Sequence, residues 1–331
     1  MNWLLSQVAS AVNGRLIGAD VALNGVSTDT RSIEAGQLFI ALSGDRFDAH
    51  DFLAPAAESA AALLVSDESK LPAGVSAVLV DDTRLALGRL AAAWRASFEL
   101  PVIAVTGSNG KTTTKEMIAA ILKAAFGAAV LSTRGNLNND IGLPLTLLGL
   151  RASHRAAVIE MGMNHPGEIA YLTGLGAPTV ALVTNAQRAH LEGMGEMDEV
   201  AREKGSIFDG LAANGCAVIN ADDAYAEFWR TMAGPHAIRT FALDHAADVC
   251  AAVHQRGLEI TIDLTAKEGE AAVTLAIPGR HNARNAVAAA AACLAAPPSA
   301  ARHRPANRLG DGRALQGRQY RPPLGQAAGI A

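Results

Sequence analysis

The residues with the plainest chemistry are Thr106-Gly107-Ser108-Asn109-Gly110-Lys111-Thr112-Thr113. A buried-strand run, Val102 to Thr106, leads straight into them, and a helical pattern from Thr112 to Phe126 leads out. Small residues let backbone N–H groups turn inward toward phosphate oxygens, and the helix start adds the positive end of its dipole. In such a loop Lys111 neutralises the terminal phosphates of a nucleotide and the Thr112 hydroxyl ligates Mg2+. The general pattern wants glycine five residues before Gly110. This chain has Val105 there, so the match is to the shorter GxxGKT form. An ordinary strand-to-helix turn that happens to contain Gly-Lys is the plainer alternative.

Three more residues stand in places where chemistry is possible. Glu160 closes the apolar run Ala156–Glu160, and ligands of open α/β sheets bind beyond the carboxyl ends of strands. An acid there can hold the magnesium that bridges ATP phosphates. His190 follows a strand-like run, 179–184, and the segment Asn185-Ala186-Gln187-Arg188-Ala189. Lys204 lies in a helical stretch. From composition alone His190 reads as a polar loop residue and Lys204 as a solvated helix cation. Lysine is scarce, six against 22 Arg, which points to lysines kept where Arg cannot serve, with Lys111 and Lys204 as candidates. Lys70, Lys115, Lys123 and Lys267 show no evident role.

These residues need elements to hold them. The first hundred residues read as a small α/β unit, with short strands at 37–42, 61–65 and 75–80 and helices at 51–59 and 83–98, the second capped by Thr83. Pro101 marks a boundary. Beyond it strand, loop and helix alternate: strands at 102–106, 156–161, 179–184 and 216–219, helices at 112–126 and 195–211. That alternation implies a mostly parallel sheet covered on both faces. Residues 258–264 and 272–277 suggest a hairpin, and 282–296 an Ala-rich helix.

Composition excludes several classes. Half of the 331 residues are hydrophobic and the formal charge is −4, which argues against nucleic acid as a partner. The longest apolar run, Ala286 to Ala296, is well short of the ~20 residues that span a bilayer. The N-terminus has no basic segment or long apolar stretch of a signal peptide. Cys216, Cys250 and Cys293 are isolated and odd in number, so a reduced, cytoplasmic protein is expected.

TGSNGKTTTKEM (106–117), GNLNNDIGLPLTLL (135–148), VIEMGMNHPGEI (158–169), NAQRAHLEG (185–193), EKGSIF (203–208) and GRHNARNAVAAAA (279–291) occur in this order. Together they resemble the Mur ligase family of peptidoglycan synthesis, over roughly residues 1–296. The resemblance implies an α/β chain: a UDP-sugar-peptide domain at 1–100, then a P-loop-type ATPase domain with a mostly parallel sheet at 101–296. Within the family it points to the ligase that joins D-alanyl-D-alanine to UDP-N-acetylmuramoyl-tripeptide, using ATP and two Mg2+ ions, as a monomer. Another Mur ligase or a folylpolyglutamate-type ligase is the alternative. A GTPase or kinase would explain 102–126 but not GNLNNDIGLP, His190 or Lys204.

The resemblance also assigns residues. Thr106, Gly107, Ser108, Asn109, Gly110, Lys111, Thr112 and Thr113 take the ATP phosphates, and His281, Asn282 and Asn285 approach the adenosine. Thr112, Glu160, His190 and Lys204 hold metal, Lys204 as a carbamate, and Lys111, His190 and Lys204 are the catalytic set. Asn138 and Asn139 lie on the substrate side. Thr28, Asp29, Arg31, Asp45 and His50 grip the UDP-sugar.

The family would continue into a third, Rossmann-like domain. Residues 297–331 instead hold six Arg, one acid and five Pro, with no strand or helix periodicity. They read as disordered, either a natural basic arm or, the favoured expectation, an off-frame stretch of a GC-rich gene. On that expectation the chain binds the UDP-sugar peptide, and ATP weakly, and ligates poorly. A chain that only binds the sugar peptide is the limiting case.

Overall fold

The computed structural model describes residues 2–44, 47–187, 197–296 and 302–303. The contacts divide the chain into two units. One takes in Met1–Ser97 with the short segment Leu147–Arg151, and the other Phe98–Thr146 with Ala152–His303.

In the first unit, helix α1 (Leu5–Val12) is followed by strands β1 (Arg15–Ile17), β2 (Gly25–Ser27), β3 (Gln37–Ile40), β4 (Ala62–Val65) and β5 (Ala77–Leu79) and helix α2 (Thr83–Ala96). The five-stranded sheet runs β1-β5-β4-β3-β2. Its strands pair in parallel except β1 with β5. Phe39, Leu63, Val65 and Ala77 fill its core with Leu53 and Ala56. The cap of α2 is Asp82, not Thr83: its carboxylate accepts the N–H groups of Arg84 at 2.8 Å and Leu85 at 2.9 Å, while Thr83 is the first helical residue. The helix expected at 51–59 is a 3-10 turn, Ala49–Phe52, followed by a short α-helix, Leu53–Ala57. Pro55, which lacks an N–H, sits in the first turn of that helix, where no donor is required.

The second unit contains β6 (Val102–Thr106), α3 (Lys111–Phe126), β7 (Val130–Ser132), α4 (Gly142–Leu148, in this unit through Thr146), β8 (Ala156–Glu160), α5 (Glu168–Gly176), β9 (Val180–Val183), α6 (Met197–Gly205), β10 (Cys216–Asn220), α7 (Ala226–Met232), β11 (Ala237–Ala242), β12 (Val249–Arg256), β13 (Glu259–Ala266), β14 (Gly269–Leu275) and α8 (Arg280–Ala295). Its nine-stranded sheet has the order β7-β8-β6-β9-β10-β11-β12-β13-β14. It is parallel from β7 through β12 and antiparallel from β12 to β14.

Strands β6, β8 and β9 are buried at every position, as strands covered on both faces must be. Ile118 and Leu122 of α3 and Val287, Ala288 and Ala291 of α8 pack into one core with them. The alanines of α8 let that helix lie close. The expected hairpin is β13–β14, but β11 and β12 were not foreseen, because polar residues break their apolar pattern, Arg239 and Thr240 within β11 and His254, Gln255 and Arg256 at the exposed end of β12. The helix expected at 195–211 is shorter, giving way to a 3-10 turn at Ser206–Phe208. No helix among the described residues is long and apolar enough to cross a membrane.

Candidate nucleotide and metal site

The ends of β6, β8 and β9 lie side by side, since β6 pairs with both of the others in register. The loop after β6 is shaped by two glycines. Gly107 has φ +144° and Gly110 φ +77°, and a Cβ on Gly107 would strike the Thr184 hydroxyl while one on Gly110 would strike the Asn285 carboxamide. Gly110 also stands at the N-cap of α3 and offers no side chain to accept the first N–H groups of the helix. Those donors therefore face the loop.

A second segment, 184–187, is stitched to this loop. Ser108 N–H donates to the Asn185 carbonyl at 3.0 Å, and Asn109 N–H to the Asn185 side-chain oxygen at 3.0 Å. Thr184 Oγ1 donates to the Asn109 carbonyl at 2.8 Å, and Asn109 Nδ2 to Gln187 Oε1 at 2.7 Å. Behind it, Asn220 Nδ2 donates to the Thr184 carbonyl at 2.9 Å and Asp223 accepts Ala186 N–H at 3.0 Å. Burial pushes the Asp223 carboxyl up. None of Thr184, Asn220 and Asp223 stood out in the sequence. Their signal was only position, each at or just past a strand end.

Lys111 donates to the Gly107 carbonyl at 2.8 Å and the Ser108 carbonyl at 3.3 Å. Burial pulls its ammonium down, and the charge of Glu160 opposes this. The Thr112 side chain is exposed beside it. Glu160 is 2 % exposed. One of its oxygens accepts Asn138 Nδ2 at 2.8 Å, and the other, Oε2, is buried with no hydrogen-bond partner among the described residues. Asn138 is held in turn by its own carbonyl, which accepts Gly162 N–H at 2.8 Å. Asn139 caps α4, accepting Gly142 N–H at 2.8 Å.

Lys204 is not a solvated cation. It is fully buried, and its Nζ has no hydrogen-bond partner among the described residues. Burial, reinforced by repulsion from Lys111, brings its pKa down to about 7, with Glu203 and Glu168 pulling the other way. Glu203 is committed to structure, accepting Gly167 N–H and Ile169 N–H at 2.9 Å each. An unsatisfied buried oxygen and an unsatisfied buried amine, facing Lys111, each cost about 1–3 kcal/mol unless a ligand completes them.

Asn282 and Asn285 are buried in the first turns of α8, Asn282 donating to the Pro278 carbonyl at 2.6 Å, while His281 is exposed. The described residues contain no group of three or more His, Cys, Asp or Glu able to hold a metal ion. His190 and Asp45 lie outside the described residues.

Two family models fit this chain. Residues 105–293, more than half of it, match the Mur ligase middle domain, and residues 22–95 match the Mur ligase family catalytic domain. The chain belongs to the Mur ligase family. It is 48 % identical over 292 residues to the UDP-N-acetylmuramoyl-tripeptide–D-alanyl-D-alanine ligase of Escherichia coli strain K12, a match over 87 % of this chain and 63 % of that protein. Among solved structures it is similar to a crystal structure of MurF from Acinetobacter baumannii, with TM-score 0.83 and 38 % identity over 89 % of this chain and 65 % of that one. It also resembles MurF ligase from Thermotoga maritima in complex with ADP, with TM-score 0.69 and 26 % identity over 80 % of this chain and 61 % of that one. The chain thus spans about 63 % of the length of the E. coli relative.

The first unit of this Mur ligase chain places its expected residues less openly. Arg31 folds back onto Asp29 through a fork, Nη2 to Oδ2 at 2.8 Å and Nε to Oδ1 at 3.0 Å, beside half-buried Thr28. Those bonds hold the Asp29 carboxyl below the usual range. His50 is 4 % exposed with both ring nitrogens engaged. Its Nε2 accepts Ser66 N–H at 2.9 Å, so Nδ1 carries the proton and donates to Asp48 at 2.6 Å. Lys70, which had shown no role, pairs with Asp48 at 2.9 Å and Asp51 at 2.7 Å. His50 therefore holds its loop rather than presenting a free nitrogen.

Proposed function

We propose that this chain carries the nucleotide-sugar and ATP-handling parts of a cytoplasmic ligase that joins D-alanyl-D-alanine to UDP-N-acetylmuramoyl-tripeptide. The observation that carries this reading is the pair of unsatisfied buried groups, Glu160 Oε2 and Lys204 Nζ, set against Lys111 at the end of a phosphate-type loop. The likeness to ligases named for this reaction supports the choice of substrates.

The donor set suits a hard divalent cation. Glu160 offers an oxygen with no other hydrogen-bond partner among the described residues, the Thr112 hydroxyl is exposed, and His190 is the remaining ligand on this reading. Lys204, with a pKa about 7, has a large neutral fraction at physiological pH. A neutral amine adds CO2, forming an N–C bond and releasing a proton, and so becomes an oxygen ligand. Mg2+ bound there supplies positive charge against the transferring phosphoryl group.

The chain's own residues do the rest. The N–H groups at the start of α3 and the Lys111 ammonium bind and orient the phosphates. The terminal carboxylate of the tripeptide attacks the γ-phosphorus, the bond to the bridging oxygen breaks, and ADP leaves an acyl phosphate. The amine of D-Ala-D-Ala attacks its carbonyl, phosphate departs and the amide remains. Asn138 orients Glu160, and Asn282 and Asn285 line the approach of the adenosine. Thr28, Asp29 and Arg31 meet the nucleotide sugar, with His50 shaping that loop. The reading is of a monomer acting on small molecules.

The test is phosphate release from ATP by the purified chain with both other substrates. The expected result is slow release, dependent on UDP-N-acetylmuramoyl-tripeptide and D-Ala-D-Ala together. Release stimulated equally by a single amino acid or by folate would move the assignment to another ligase of the same fold.

A further inference from the structure

Lys115, one turn beyond Lys111, is fully buried, yet it is a lysine. Its Nζ donates to the Thr133 carbonyl at 3.0 Å and pairs with Glu116. What it does to Thr133 follows from the register of β7 and β8. Ser132 stands opposite Val158, and Thr133 N–H donates to the Val158 carbonyl at 3.1 Å. In a regular parallel ladder the next bond would run from Glu160 N–H to the Thr133 carbonyl. That carbonyl is instead turned to Lys115, and Glu160 N–H donates to the Thr133 hydroxyl at 2.9 Å. The ladder therefore stops beside Glu160. The chain departs there into the loop that returns Asn138 to the Glu160 carboxylate at 2.8 Å.

We propose that Lys115 is a positioning residue for the metal-binding carboxylate: by drawing off the Thr133 carbonyl it ends the β7–β8 ladder and aims Glu160 Oε2 outward from the sheet. An apolar residue at 115 would fill the same space but would free that carbonyl to accept Glu160 N–H. The ladder would then run on, and the 134–138 loop with Asn138 would shift. The inference rests on the reading of Glu160 as a ligand of the nucleotide's magnesium.

Titration calorimetry of ADP into the full chain, with and without Mg2+, tests it. In the wild type Mg2+ strengthens ADP binding. Lys115→Met is expected to hold metal-free ADP affinity within about twofold while losing at least fivefold of the Mg2+ enhancement, and Lys115→Arg, which keeps a donor, to recover part of it. Leu122→Ala, a core deletion in the same helix, should lower the melting temperature and leave the enhancement intact. Full enhancement in folded Lys115→Met overturns the proposal. If that variant does not fold, Thr133→Val, which removes the hydroxyl that holds Glu160 N–H, decides in the same way. A wild-type chain with no Mg2+ enhancement would remove the metal reading itself, and this inference with it, an outcome distinct from an enhancement that both variants retain.

Discussion

Two buried groups without hydrogen-bond partners among the described residues define the site at the scale of single residues. Keeping the Lys204 amine dry and unbonded costs stability, so Lys204→Met is expected to raise stability by about 1–3 kcal/mol while abolishing metal-linked nucleotide binding. The denaturant midpoint checks this, and a destabilised variant would show that the amine has a partner of structural value. The amine's reactivity has its own signature. With [13C]bicarbonate the wild type should give a carbamate resonance that Lys204→Arg lacks, and its absence at neutral pH would remove the carbamate from the account. Lys204 also shows where reading residue types falls short. Its neighbours Arg202 and Glu203 suggest a wet helix face, and only packing reveals that the face turns inward. Lys115 was legible in principle. Residues 111, 115, 118 and 122 fall on one helical face, so a lysine at 115 had to be buried with Ile118 and Leu122.

The loops at the ends of β6, β8 and β9 were readable from sequence where the signal is local, and opaque where it is not. Glycines, Lys111 and the apolar strand before them mark the phosphate loop without any tertiary knowledge. The latch from 184–187 to that loop joins residues some 75 positions apart, made by common side chains, and only the strand order brings them together. Strands β11 and β12 were hidden because polar residues interrupt their apolar runs, Arg239 and Thr240 in one and His254, Gln255 and Arg256 in the other. The fit of the loop against α8 is testable. Gly110→Ala forces a left-handed alanine, at about 1–2 kcal/mol, and also drives a methyl into Asn285. Asn285→Ala should recover the second part, so the pair should be non-additive in stability, and strict additivity would contradict the contact. In the first unit, burial works against the charge of Asp48, but Lys70 and the hydrogen bonds from His50 bring its pKa down to about 2. A carboxylate with a lowered folded pKa stabilises above its unfolded pKa and loses that contribution as pH falls. Asp48→Asn should therefore flatten the acid sensitivity of this unit between pH 4 and about 2, and an unchanged acid titration of stability would show that the Lys70–Asp48–His50 cluster is neutral to folding.

Across the whole molecule, composition set limits and the ordered motifs supplied the family. The formal charge of −4 and the lack of a bilayer-length apolar run argued against nucleic-acid and membrane-spanning classes, yet only the run from TGSNGKTT to GRHNARN singled out Mur ligases. The fold class was legible because strand and helix alternate from residue 102 to residue 220. The first unit's site was less so: its polar residues bond mainly to one another, as Asp29 does with Arg31 and His50 with Asp48. The central claim is that the Gly107–Thr113 loop binds the nucleotide's phosphates through Lys111. The most direct measurement is equilibrium binding of Mg2+-ADP to the 331-residue chain and to its Lys111→Ala variant. The account predicts saturable binding by the wild type and a loss of roughly 10- to 100-fold in the variant, the worth of a charge-assisted contact. Equal affinity in the two, or no binding by the wild type, would contradict it.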